Sequence, residues 1–375
     1  MPDKKKQHFV PRFYLKNFSL NSSGRTIGIF NLSSAKFIPS GSLKDQAYKD
    51  YFYGRDATIE DAFCELEGVA AKIIQNILAQ HSTPLSGSKE HYALLTFIIF
   101  LSARTVYRVD ELNEAVDKFI KAVLSKDLSI SPYLDKGRFS LTQPTHMALS
   151  EAALCLPLTF DLCFKLVINK TKEPFITSDH PVVLYNQFLE PRKKYGNNTG
   201  LACKGQEIFL PLSPRHLIIF FDRDIYKVGN KSEKSIEVAT DSDVRALNLI
   251  QCISADKNLY FNEEISEIHI RQLVNQSEQQ RRKTRANIDE FMGTNNEEER
   301  RLLVHMYTSD IRCSLSLSFI HILKKAKQYA LGDRVIHVRN EEICCLHERF
   351  VELVKQGKYR AREFPEFLRD VTSAV

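Results

Sequence analysis

Three short stretches of this 375-residue chain hold the side chains best suited to chemistry. The first is Lys5-Lys-Gln-His-Phe-Val-Pro-Arg-Phe-Tyr-Leu-Lys-Asn-Phe18. His8 titrates near neutral pH, which suits a proton shuttle, a metal ligand or a phosphate contact. Lys6, Gln7 and Arg12 around it offer donors to an anion. Phe9, Phe13, Tyr14 and Phe18 require the segment to be tied down, because a frayed terminus does not carry such an apolar load. The plainer role for His8 is donation to a main-chain carbonyl among those rings.

The second stretch, Thr177-Ser-Asp-His-Pro181, follows an extended run at Phe175–Thr177. A strand end fixes the backbone while its side chains face a cleft, so Asp179 suits a base or a cation ligand, with His180 as a neighbouring imidazole. Ser-Asp-x-Pro is also good turn chemistry. An Asx-turn from Asp179 has no N–H to use at Pro181, however. The third feature is Arg104, near the end of an apolar run, where an unpaired buried charge would cost several kcal/mol. Glu60, Glu65 or Glu67 would serve as its structural partner. Asn248 and Gln251, three apart in a helical pattern, share a face and suit either a ligand or buried backbone groups.

Other chemistries lack their signatures. The chain has no Gly-x-Gly-x-x-Gly, no Gly-Lys-Ser/Thr phosphate loop, no Gly-x-Ser-x-Gly and no His-Glu-x-x-His. Asp179 followed by Glu207-Ile-Phe has the acid–strand–acid order of some metal nucleases but lacks the lysine two positions on. The eight cysteines contain no Cys-x-x-Cys pair, which disfavours structural zinc and fits reduced thiols. A net charge of +6 is mildly basic, short of a nucleic-acid coat. Basic clusters at residues 4–16, at Arg281-Arg282-Lys283 with Arg285, and at Lys324-Lys325 with Lys327 suit phosphate contact or a solvated helix face.

The elements that must position these residues are legible from periodicity. Apolar content of 43% with 26% charged residues excludes a disordered chain. The run Tyr92–Ala103 is well short of the ~20 apolar residues of a membrane span. The first residues lack a signal-peptide stretch, so a cytoplasmic protein is expected. A hairpin is expected across Leu32-Ser-Ser-Ala, then helices from Thr58, from Lys89 through Thr105 and on towards Leu124, and from Gln143 to Leu156. Strand patterns occupy residues 157–228 and predict an antiparallel or mixed sheet. Helix is expected again over 241–253 and 263–291, with a mostly helical tail and a possible strand at Val335–Val338. The fold class is therefore α+β: a helical layer on a sheet, the N-terminal segment docked between them, in a 1–262 core with a helical 263–375 lobe.

Gln7-His8-x-x-Pro11-Arg12-x-Tyr14-Leu15-x-Asn17-Phe18 resembles the opening signature of the family known as domain of unknown function four-two-three-eight. The similarity continues at Phe52-Tyr53, Ile59-Glu60 through Glu67, Arg104-Thr105, Phe175-Ile-Thr-Ser-Asp-His-Pro-Val182, Leu210-Pro-Leu-Ser-Pro214 and Leu247-Asn248. It spans roughly residues 4–262 and implies an ordered set of site residues but no reaction. The occurrence of such proteins in prokaryotes implies a conceivable place in defence against phage.

The leading expectation is a site where His8, Arg104 and Asp179 act on a phosphodiester or other anionic ligand bound by Lys6, Gln7, Arg12 and Asn248. In that nuclease-like scheme Asp179 holds a divalent cation or acts as base, His8 moves the proton, and the arginines neutralise charge. The rival is a non-catalytic binding or scaffold module in which the same residues are structural. A third reading places nucleic-acid contact on the basic C-terminal lobe, with steep salt dependence.

Overall fold

The computed structural model describes residues 5–56, 58–126, 129, 131–191, 198–295, 299–329 and 338–373. Strand β1 (Lys6–His8) and the helical turn α1 (Arg12–Lys16) open the chain. The expected hairpin follows as β2 (Thr26–Asn31) and β3 (Lys36–Ser42), and β4 (Tyr48–Asp50) returns to pair antiparallel with β1. Helix α2 (Thr58–Gln80) buries Phe63, Ala70, Ile73, Ile74 and Ile77, the stripe its three- and four-residue steps predict.

Helix α3 (Lys89–Ala103) is buried on nearly every side. It stops at Arg104 because Thr105 takes up extended geometry and caps α4 (Val106–Leu124), its hydroxyl accepting from the Arg108 N–H. The two helices meet at a 56° bend. Among the described residues no single helix is long and apolar enough to cross a membrane. Helix α5 (Pro144–Cys155) packs against α3 and α4.

The middle of the chain builds β5 (Cys163–Asn169), β6 (Thr177–Ser178), β7 (Val183–Tyr185), β8 (Glu207–Ser213), β9 (His216–Phe221), β10 (Tyr226–Val228) and β11 (Ser235–Val238). Then come α6 (Asp241–Ser254), β12 (Asn258–Phe261) and α7 (Glu267–Glu278). A mixed five-stranded sheet runs β11-β5-β9-β8-β7, with β11 parallel to β5 and the other pairings antiparallel. A second, antiparallel sheet runs β3-β2-β12-β6.

Every residue of β8 and β9 is buried, because both faces of the larger sheet are covered. Leu166, Ile208, Leu210, Ile218 and Phe220 join the core of α2 and α3. The alternate residues Val167, Phe209, Leu217 and Ile219 join a second core with α6 and residues 311–320. The architecture is α+β, as its sequence pattern predicts.

Helix does not run through 263–291. It ends with α7 at Glu278, and β13 (Ala286–Asn295) pairs with β14 (Glu299–Thr308) in a long hairpin beside α4. Cross-strand pairs such as Phe291 with Leu303 replace the helical stripe, a long-range partnership that local spacing does not register. A short β15 (Ile320–Ile322) pairs with β10. Residues 335–337 of the expected strand lie outside the described residues; Val338 bridges to Cys203. The tail ends in the expected helices, α8 (Glu341–Lys355) and α9 (Phe364–Ser373), around their own cluster of Phe350, Phe364 and Phe367.

Candidate functional site

The N-terminal segment does reach the β6 end of the fold. The Tyr14 hydroxyl contacts Thr177 Oγ1 at 2.7 Å and donates to the Pro211 carbonyl at 2.7 Å, while the Asn17 amide donates to the Leu212 carbonyl. That meeting point is neutral and buried, and the expected catalytic residues are each bonded to partners of their own. Arg104 is 1% exposed; it donates to Glu67 at 2.7 Å and to the Phe9 carbonyl at 3.3 Å, and lies 4.4 Å from the Phe63 ring centre. Its charge is consumed by a structural partner on α2.

Asp179 is 4% exposed. Its carboxylate accepts from the amides of Asp256, Lys257 and Asn258, each at 2.9 Å. Burial and the neighbouring Asp256 push it up to about 7, against those three donors. Both oxygens accept from the backbone, Oδ1 from Asp256 and Oδ2 from Lys257 and Asn258. Among the described residues, no three His, Cys, Asp or Glu side chains group as a metal ligand set.

Gln7 is structural as well, spanning the Gly54 carbonyl and the Tyr53 amide. Lys6 pairs with Asp45 on the surface. Asn248 accepts from the Ile176 amide and donates to the Pro174 carbonyl. Half-buried His8 bonds the Lys44 carbonyl, and desolvation, with lesser effects from Arg12 and Arg104, lowers its pKa. Arg12 is exposed. Glu207 lies in the other sheet from Asp179, buried and pushed up to about 8, with its oxygens on Gln187.

What these contacts hold in place is the residue after Asp179. Gln251 and Ser254 on α6 grip the carbonyls of Pro181 and His180, and Ser178 bonds Gln251. His180 is thereby set into the wall of a cavity of about 420 Å³ between the α3–α4 bend, α5, the end of α6 and the chain around 282 and 309. Its Nδ1 meets the Thr105 hydroxyl at 2.8 Å, and its ring stacks on Tyr107 at 4.6 Å. Burial, then the charges of Arg282, Arg108 and Arg285, drive its pKa down to about 3. The imidazole is neutral across the physiological range.

The basic cluster 281–285 divides its labour. Arg281 caps α6 through the carbonyls of Cys252, Ala255 and Asp256. Arg285 pairs with Asp256 at 2.7 Å. Arg282 lies 4.6 Å from the Tyr107 ring centre and gives Nη1 to the Ser309 carbonyl, while its Nη2 is buried without an acceptor among the described residues. The Tyr107 hydroxyl is likewise buried and unpartnered, and burial pushes it up to about 12, so it is a neutral donor. Beside them Arg108 is neutralised by Glu111 and Glu151.

A family model described as a protein of unknown function (DUF4238) matches residues 6–264. The chain belongs to that family. No curated protein and no solved structure matches it. The matched region supplies Tyr107, Arg108 and His180; Arg282, Ser309 and Asp310 come from the segment after it. Sequence reading singled out Arg282 only as one of a basic cluster, and nothing local marks Tyr107.

Proposed function

We propose that this DUF4238 protein binds an anionic ligand, a nucleic-acid strand or another phosphoester, in the His180 cavity and acts on it as a nuclease-like phosphodiester hydrolase. One observation carries the reading: Arg282 and Tyr107, each with a buried donor that has no acceptor among the described residues, line one cavity beside a neutral histidine. Unsatisfied buried donors cost about 1–3 kcal/mol each, and an anionic oxygen is the acceptor that bonds both most strongly.

In the hydrolytic form His180 takes a proton from water as its oxygen bonds phosphorus, Arg282 and Tyr107 hold the non-bridging oxygens, and the proton passes to the departing alkoxide. A pKa of about 3 makes the free imidazole a feeble base. An anion seated beside it raises that value, so binding precedes and enables the proton transfer. The commitment of Asp179 and Arg104 to the backbone and to Glu67 favours the second reading, a binding module without catalysis.

The test is metal-supplemented incubation with RNA and DNA of the wild type, His180→Asn and Arg282→Ala. Cleavage lost in both variants supports hydrolysis. Binding lost in Arg282→Ala with no cleavage by any form supports the module. Unaltered binding and cleavage in both variants would sink the site.

A further inference from the structure

We infer that the ligand of the His180 cavity is a small molecule joining an anionic head to an aliphatic body, not the interior of a polynucleotide. The inference rests on the anionic-ligand reading above and narrows it, setting aside its nucleic-acid form.

Size is the first argument. A cavity of about 420 Å³ lies at the lower end of the range for small-molecule sites. A nucleic-acid strand is usually followed by a groove whose exposed aromatics stack successive bases. Tyr107 is the lone Phe, Tyr or Trp among the described lining residues, and its ring already has His180 stacked on it and the guanidiniums of Arg282 and Arg285 over it. No aromatic face is left for a base.

Apart from the lining carboxylates, Glu111 and Glu151 on Arg108 and Asp310 on the amides of Asn198 and Thr199, two groups of lining residues are held together by contacts of their own. His180 and Arg282 both lie against the Tyr107 ring, and Tyr107 and Arg282 carry the unpartnered donors. Leu158 and Leu201 are drawn together by the buried Arg339, which donates to both of their carbonyls and to Asp161. Val182, Leu184 and Ala152 are further aliphatic residues of the lining. Arg339 is thus spent on Asp161 and the backbone, leaving Arg282 as the lining arginine without a carboxylate partner among the described residues. The head is read by Arg282, from the segment beyond the family match, and the body by residues within it.

The experiment is titration calorimetry at fixed ionic strength with inorganic phosphate, butyl phosphate, hexyl phosphate, hexanoate and a single-stranded dinucleotide. Affinity should rise roughly fourfold for each methylene that the cavity buries, then level off as the cavity fills. Hexanoate beside hexyl phosphate tells which head is preferred. Arg282→Ala should weaken all the alkyl phosphates by a similar factor, whereas Leu158→Gln should flatten the chain-length series and leave inorganic phosphate unchanged. A flat series in the wild type, or a dinucleotide that outbinds hexyl phosphate, overturns this inference while the anionic-ligand reading stands. If none of the probes binds, that reading falls and this inference falls with it.

Discussion

Two polar regions lie within one residue of each other, and they are opposites. Around Asp179 and Arg104 the charged groups have partners: three amides hold the carboxylate, and Glu67 with the Phe9 carbonyl holds the guanidinium. Around His180, one position further on, Tyr107 and Arg282 hold buried donors with no acceptor among the described residues. A folded chain leaves such donors unsatisfied at a cost that stability alone does not favour. Satisfied polar clusters make architecture; under the proposed reading, the unsatisfied cluster beside them is where a ligand completes the bonding.

That contrast can be broken most forcefully on the satisfied side. Arg104→Ala strips a buried ion pair and should cost about 3–5 kcal/mol in denaturant unfolding, leaving Glu67 and the Phe9 carbonyl unpaired. Asp179→Ala leaves three amides without an acceptor and should cost at least about 3 kcal/mol. If either variant unfolds at wild-type denaturant concentrations, the architectural assignment is wrong.

On the unsatisfied side the balance reverses. Arg282→Ala should change stability by less than about 1 kcal/mol, since no ion pair is lost, yet weaken hexyl phosphate at least tenfold. A large loss of stability with unaltered affinity would return Arg282 to the scaffold.

Proton linkage sharpens the comparison further. His180 titrates near 6.5 in the unfolded chain and at about 3 in the folded one, so between those values only the unfolded chain holds the proton. Its contribution to stability is therefore present above pH 6.5 and lost as pH falls towards 3. A bound anion raises the folded value, so hexyl sulfate, which does not itself titrate there, should bind more tightly as pH falls from 7 to 5. In His180→Asn that added slope should vanish; equal slopes in the two proteins would remove His180 from the ligand's neighbourhood. Tyr107→Phe should have the smallest effect, removing an orphaned hydroxyl with thermal stability unchanged or raised by about 1 kcal/mol, while hexyl phosphate affinity drops a few-fold.

The sequence by itself determined the helices of residues 58–155, the strands around them and the anchoring of the N-terminal aromatics, because apolar spacing and buried rings are local demands. It also marked Arg104 as needing a carboxylate and placed Asn248 and Gln251 on one face of α6, where both reach the 174–181 segment. Tertiary structure decided the rest. Whether Asp179 is a base or a cap depends on the turn at 256–258, some 77 residues away, and the role of Arg282 depends on the rings and carbonyls it meets after the chain has turned back past α4. The 286–308 hairpin escaped notice for a related reason: its register is set by a partner strand, not by its own periodicity. A side chain's chemistry is written in its residue type, but whether that chemistry is spent on the fold or left for a ligand is fixed by which donors and acceptors the folded chain brings within hydrogen-bonding distance.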